Sequence, residues 1–246
     1  MMGSLFKWEM KQTLSSKSFW FLGASLVLLP GLFLMLTLLF TEGYTGYNAF
    51  LEGLNNYNAF VIFLIGVFAG IHVTGSFDGR KIQSAVMAGN SRFNILIAKF
   101  LSYSVSVAMF GLVSIIVSTA IAFSMQGTDG MDGSFARVII GRSIVYIIVE
   151  TAYSATCFLA SMFIRHLGGA IGVNLGLMLM SNIVTQLLFN FEWAEKLLRF
   201  TAVGQSMLVI GDFSNSNIMM ALAASVIAFA AVIALSYVKF SKEELK

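Results

Sequence analysis

A chain of 246 residues with one cysteine, one proline, two histidines and only 11% charged residues lacks most of what a soluble domain uses to stay in water. Soluble domains carry about 25% charge. The lone Cys157 excludes an intrachain disulfide and a cysteine-ligated metal cluster. With His72 and His166 far apart there is no H-E-x-x-H helix, and Ser76 in "GSFDG" does not hold the central place of G-x-S-x-G. Neither a zinc protease nor a serine hydrolase is written here. No G-x-x-x-x-G-K-[ST] phosphate loop occurs, and no polar stretch is long enough to fold a nucleotide-binding domain, so ATP hydrolysis by this chain is not expected.

What the chain has instead is grease: 58% of its residues are hydrophobic, and its mean hydropathy is +0.85. The intervals Lys17 to Glu42, Glu52 to Asp78, Lys99 to Asp129, Arg165 to Glu192 and Asp212 to Lys239 hold no charged residue inside them. Each exceeds the roughly 20 residues that a helix needs to cross a hydrocarbon core. A sixth interval, Val138 to Ile164, is interrupted by Arg142 and Glu150. Because the runs are continuous and do not alternate with period two, a barrel is excluded and a helix bundle remains. The sequence predicts an all-α integral membrane protein in one domain, with six transmembrane helices near 18–40, 57–76, 98–125, 138–164, 167–189 and 215–238. The first run is longer than a signal-peptide core of roughly 7–15 residues and is expected to stay as an anchor.

Placing the N-terminus in the cytoplasm puts Lys7, Lys11, Lys17, Arg80, Lys81, Arg92, Lys99, Arg165, Lys239, Lys242 and Lys246 on the inner side. Arg137, Arg142, Lys196 and Arg199 are left outside. The positive-inside rule therefore favours both termini in the cytoplasm. The net charge of +3 is then a sided distribution and not a nucleic-acid patch. Ahead of the first span, over 1–17, Leu5, Phe6, Met10 and Leu14 share one helix side while Lys7, Glu9 and Lys11 supply charge. This pattern predicts an interfacial helix in the membrane plane, against the alternative of a basic tail that merely sets topology. Pro30 and Gly31 mark a bend or a hinge in the first span. Between the last two spans, 190–214 is too polar to cross again yet carries Trp193 and Leu197, which predicts a short helix dipping into the outer leaflet.

The break between the second and third runs, "FDGRKIQSAVMAGNSRFNILIAK", is short and basic. Asp78 and Gly79 read as a turn, and Ile82, Ala85 and Val86 recur at helical spacing alongside Gln83. Gly89-Asn90 supplies a left-handed stop, and Ser91 can cap the next helix. A helix lying across the membrane surface over 77–97 is predicted, with a small apolar face able to enter a groove on another protein.

The step from "F-D-G-R-K-I" to "G-N-S-R-F-N-I-L-I-A-K" resembles the ABC-2 group of permeases, in which a G-x-[ST]-R step and a following lysine join an intracellular loop to the next span. The resemblance extends over the whole chain, from N-terminal interfacial helix to membrane-dipping segment. It implies an ABC-2 exporter-like fold, with Arg80 to Asn90 as a coupling helix and Ser91, Arg92 and Lys99 as its membrane-side hinge. Arg80-Lys81 departs from the small or hydroxyl residue that the family often has there. The resemblance further implies two ATP-binding subunits as partners, with ATP and Mg held on those chains and no cofactor on this one, and a second copy of this permease beside the first. A bacterial plasma membrane and a hydrophobic or amphipathic cargo, a peptide or peptide antibiotic, complete the expectation.

Three sets of residues inside the spans bear on that path. An intramembrane carboxylate is costly, and Glu150 lies roughly 12 Å along the helix from Arg142, too far for direct pairing. It is expected either to pair structurally or to serve transport. Asn174, Asn182 and Gln186 are candidates to line the same cavity. Gly168, Gly172 and Gly176 form a small-residue stripe suited to intrachain packing or to a dimer seam. Drug, lipid or ion export, a proton-coupled secondary transporter and an intramembrane enzyme are the competing functions.

Overall fold

The structure is a computed structural model describing residues 2–78, 81–127 and 135–242. Among them every regular element is helical: α1 (Met2–Leu14), α2 (Lys17–Phe40), α3 (Gly46–Ala69), a π-helical turn (Gly70–Thr74), α4 (Gly75–Asp78), α5 (Lys81–Met87), α6 (Arg92–Gln126), α7 (Phe135–Phe163), α8 (Leu167–Leu188), α9 (Glu192–Leu198), α10 (Ala202–Gly211) and α11 (Asn215–Ser241). Five helices, Lys17–Phe40, Arg92–Gln126, Ala136–Phe163, Leu167–Leu188 and Asn215–Ser241, are long and apolar enough to cross a membrane. Gly46–Val61 and Phe63–Phe77 are bent by 45° relative to each other and make a sixth crossing if the pair is one span.

Two boundaries differ from the sequence expectation. The second apolar helix begins at Gly46, well ahead of residue 57, because Thr45 caps it by accepting from the Asn48 amide. Tyr47, Phe50 and Tyr57 are consequently helical, and the last two are buried. The helix also does not stop cleanly. It passes through a wide π-helical turn before α4, a distortion of the kind that collects at functional positions. α2 runs unbroken through Pro30, which is buried.

The perimeter is apolar, with Phe21, Leu28, Phe40, Met180, Val226 and Ile227 all exposed, as a lipid-facing surface requires. Inside, Phe19, Phe68, Phe110, Tyr103 and Phe158 form a chain of ring contacts joining α2, α3, α6 and α7. α7 is the central helix, packed against α3, α6, α8, α10, α11 and the π-helical turn.

The two ends of the bundle have different chemistry. Contacts between Lys99 and Glu9, Arg92 and Phe240, and Lys239 and Phe163 gather α1, α5, the start of α6 and the close of α7 and α11 at one basic end. α9 and α10 close the opposite end. There α9 exposes Trp193 and Leu197 while α10 buries Val209 and Ile210 against the bundle.

Candidate functional site

α5 and the turn after it follow from local chemistry. Gly89 adopts φ +83°, a region that costs a residue with a Cβ about 1–2 kcal/mol. The Gly89 amide donates to the Val86 carbonyl at 2.9 Å, and the Asn90 side-chain amide donates to the Ala85 carbonyl at 3.0 Å. Both bonds satisfy carbonyls that a helix end leaves open. Ser91 then caps α6 by accepting from the Asn94 amide at 3.3 Å.

The face that α5 presents is not the one its periodicity suggests. Ile82 is buried, and Ala85 and Val86 pack against the chain's own core, so this apolar side is consumed within the bundle. Ser84, Met87 and Ala88 point away, and Met87 is 81% exposed. Gln83 is half-buried at the edge. Gly79 and Arg80 lie outside the described residues, as do the side chains of Asp78 and Lys81.

Arg92 and Lys99, expected as a hinge beside the docking element, are tied down elsewhere. The Arg92 guanidinium donates to the Phe240 and Ser241 carbonyls, 2.9 Å each, and so closes the C-terminus of α11. Lys99 is 2% exposed and donates to Glu9 Oε2 at 3.0 Å and to Ser76 Oγ at 2.8 Å. Glu9 is thus part of a buried pair and not of a solvated helix face, whereas Lys7 and Lys11 stay exposed.

Around this pair is a polar knot in which His72 takes part. Its Nε2 lies 3.0 Å from Ser102 Oγ, and its Nδ1 lies 3.4 Å from Thr13 Oγ1. Ser102 already gives its proton to the Lys99 carbonyl, and Thr13 gives its own to the Glu9 carbonyl. Each hydroxyl therefore offers the ring a lone pair, so whichever ring nitrogen carries hydrogen finds an acceptor. A cavity of about 240 Å³ lined by Glu9, Thr13, Phe19, His72 and Ser76 opens beside it. The knot joins α1, the π-helical turn, α4 and α6.

The intramembrane polar residues separate into three fates. Asn174 donates to the Gly66 carbonyl at 3.0 Å and to Ser161 Oγ at 2.8 Å, which makes it a clamp between α3, α7 and α8. Asn182 and Gln186 bond each other at 2.8 Å and, with Asn55, Asn58 and Met207, line a cavity of about 290 Å³. Arg142 does not reach Glu150. It donates to the Ile210 carbonyl at 2.7 Å, with the rings of Tyr47 and Phe213 at 5.6 and 5.1 Å from the guanidinium carbon.

Glu150 is 2% exposed, half-way along α7, and among the described residues neither carboxyl oxygen has a hydrogen-bond partner. Insertion scales put a charge at such a depth at about 2.5–3.5 kcal/mol. The Tyr57 hydroxyl, also buried and unpartnered, lies in its field. Gly111 makes room for that hydroxyl: a Cβ there would lie 3.3 Å from the Tyr57 oxygen and 3.5 Å from Ile147 Cγ1.

Among the described residues nothing lies within 4 Å of a Cβ built at Gly168, Gly172 or Gly176, outside the helix's own backbone. Intrachain packing does not explain the stripe.

No family model and no curated protein matches this chain.

Sequence reasoning missed His72, Ser76 and Ser102, and it missed Tyr57 and Asn58. The signal was present in part. Lys99, Ser102, Ser106, Ser114 and Ser118 recur at three, four or eight residues, which is one buried polar stripe on a helix otherwise rich in apolar residues.

Proposed function

We propose that this chain is the membrane-spanning permease subunit of an ATP-driven ABC exporter, of the ABC-2 type. The observation that carries the reading is α5, a helix strung between two membrane-crossing segments at the basic end, anchored inward by Ile82 and presenting Met87 outward. Such an element is held firmly enough to receive a push and exposed enough to be pushed. The chain carries no phosphate loop, so the energy comes from two copies of an ATP-binding partner holding ATP and Mg.

In this reading the bent pair from Gly46 to Phe77 is one crossing and the bundle has six. The basic end faces the cytoplasm of a bacterial plasma membrane, with both termini inside. A second copy of the chain meets the open Gly168–Gly172–Gly176 face, and the path runs between the copies. An amphipathic peptide or peptide antibiotic is the cargo class that such a compact bundle suits.

The test is reconstitution. The chain, alone or with the ATP-binding subunit that co-purifies from its native host, is placed in proteoliposomes with a labelled amphipathic cationic peptide. Peptide movement that needs both the partner and MgATP is expected; movement by the chain alone would overturn the assignment.

A further inference from the structure

Glu150 poses a problem that the permease reading does not solve. Both of its oxygens are buried and unpartnered among the described residues, and the nearest arginine on its own helix, Arg142, is committed to the Ile210 carbonyl. An ionised carboxylate in that position lacks both solvent and counter-charge, and a second positive charge must visit it or it must be neutral.

The groups around it are uncharged. Tyr57 reaches it from α3, and Tyr146 and Tyr153 flank it on α7, all within its electrostatic reach. The other elements packed on α7 offer no cation at its level. α8 and α10 contain no titratable residue, and α11 has only Tyr237 and Lys239, near its end. α3 adds Tyr47 and Glu52 toward its start. On α6, Tyr103 gives its hydroxyl to the Ser154 carbonyl, Lys99 is held by Glu9, and Arg92 is held by α11. His72 in the π-helical turn is held by Ser102 and Thr13.

Asn58 lines the 290 Å³ cavity and also borders Tyr146, whose ring lies 6.3 Å from that of Tyr57. Ser114 and Ser118 on α6 are likewise buried and, among the described residues, without a partner. The Tyr57 hydroxyl, within reach of the Glu150 carboxyl from α3, brings no charge, and no cation stands beside the carboxyl among the described residues. A proton is then the cation that neutralises the carboxyl without needing further ligands.

We propose that Glu150 is a buried proton-binding site, its carboxyl neutral while it is enclosed at the centre of the bundle. Uptake moves a proton from hydronium to one carboxylate oxygen, leaving water and a neutral carboxylic acid; release reverses the step. Tyr57 and Tyr146 are its titratable neighbours, and the site needs no ATP-binding partner to titrate.

The experiment is infrared difference spectroscopy of the purified chain in lipid nanodiscs through a pH titration. A protonated-carboxyl band that appears on acidification, is absent from Glu150→Gln and persists at a shifted frequency in Glu150→Asp is expected. Tyr57→Phe should move the titration midpoint. Titrations in sodium and in choline salts separate the occupants. A band unaffected by sodium supports the proton, and a band that sodium removes at constant pH assigns the site to an alkali ion and overturns the proposal. Absence of any band that Glu150→Gln abolishes overturns it too. Because no nucleotide or cargo is present, this outcome is independent of whether the chain is an exporter permease.

Discussion

Lys99 and Glu9, 90 positions apart in the sequence, form a buried ion pair of 3.0 Å that fastens the N-terminal helix to the start of α6. Breaking one side of such a pair strands a charge, whereas replacing both sides does not. Lys99→Met is therefore expected to destabilise the bundle by about 3–5 kcal/mol, and the double variant Glu9→Gln with Lys99→Met to recover most of that loss. Thermal unfolding of the two variants beside the unsubstituted chain in nanodiscs reads the difference. A single variant no worse than the double would mean that the pair is not coupled.

Gly89 stands in open space at φ +83°, so any penalty for a side chain there comes from the backbone alone. Gly89→Ala should cost about 1–2 kcal/mol, and Gly89→Asn less, because asparagine tolerates the left-handed region. Hydrogen exchange should show the loss confined to 85–92. Protection lost across the whole bundle would contradict a purely local role.

Arg92 closes α11 by donating to two of its last carbonyls. Hydrogen bonds from a charged donor contribute about 1.5–3 kcal/mol, so Arg92→Met should fray α11 near Phe240 and lower the unfolding temperature. Exchange at 236–242 is the readout. Unchanged protection there would show that the arginine holds nothing.

The apolar runs and the turn at Gly89, Asn90 and Ser91 were legible in the sequence because each is a local signal: run length against membrane thickness, a left-handed stop, a hydroxyl cap. The start of α3 was not legible, because Tyr47, Asn55 and Asn56, which precede the expected start at 57, have the aromatic and polar side chains of an outer loop. The partners of Arg92 and Lys99 lie 148 and 90 positions away, and no local pattern encodes such pairings. Amphipathic spacing marked Ile82 and Val86 correctly as one face of α5 but could not say whether that face turns toward the bundle or toward a partner.

Gly172 can carry a side chain without touching its own bundle. Gly172→Leu should leave stability within about 0.5 kcal/mol yet weaken self-association. Because Cys157 is fully buried, a cysteine placed at 172 is the reactive thiol, and oxidation should give a cross-linked dimer. A monomer that resists cross-linking, together with an unaffected dimer in Gly172→Leu, would place the seam elsewhere.

The exporter account is tested most directly at Met87, which α5 holds 81% exposed. A photo-reactive amino acid substituted there, activated in cells of the native host and followed by mass spectrometry, should capture a chain bearing a G-x-x-x-x-G-K-[ST] phosphate loop. Capture of lipid alone, or labelling of position 87 by an impermeant reagent added outside the cell, would contradict it.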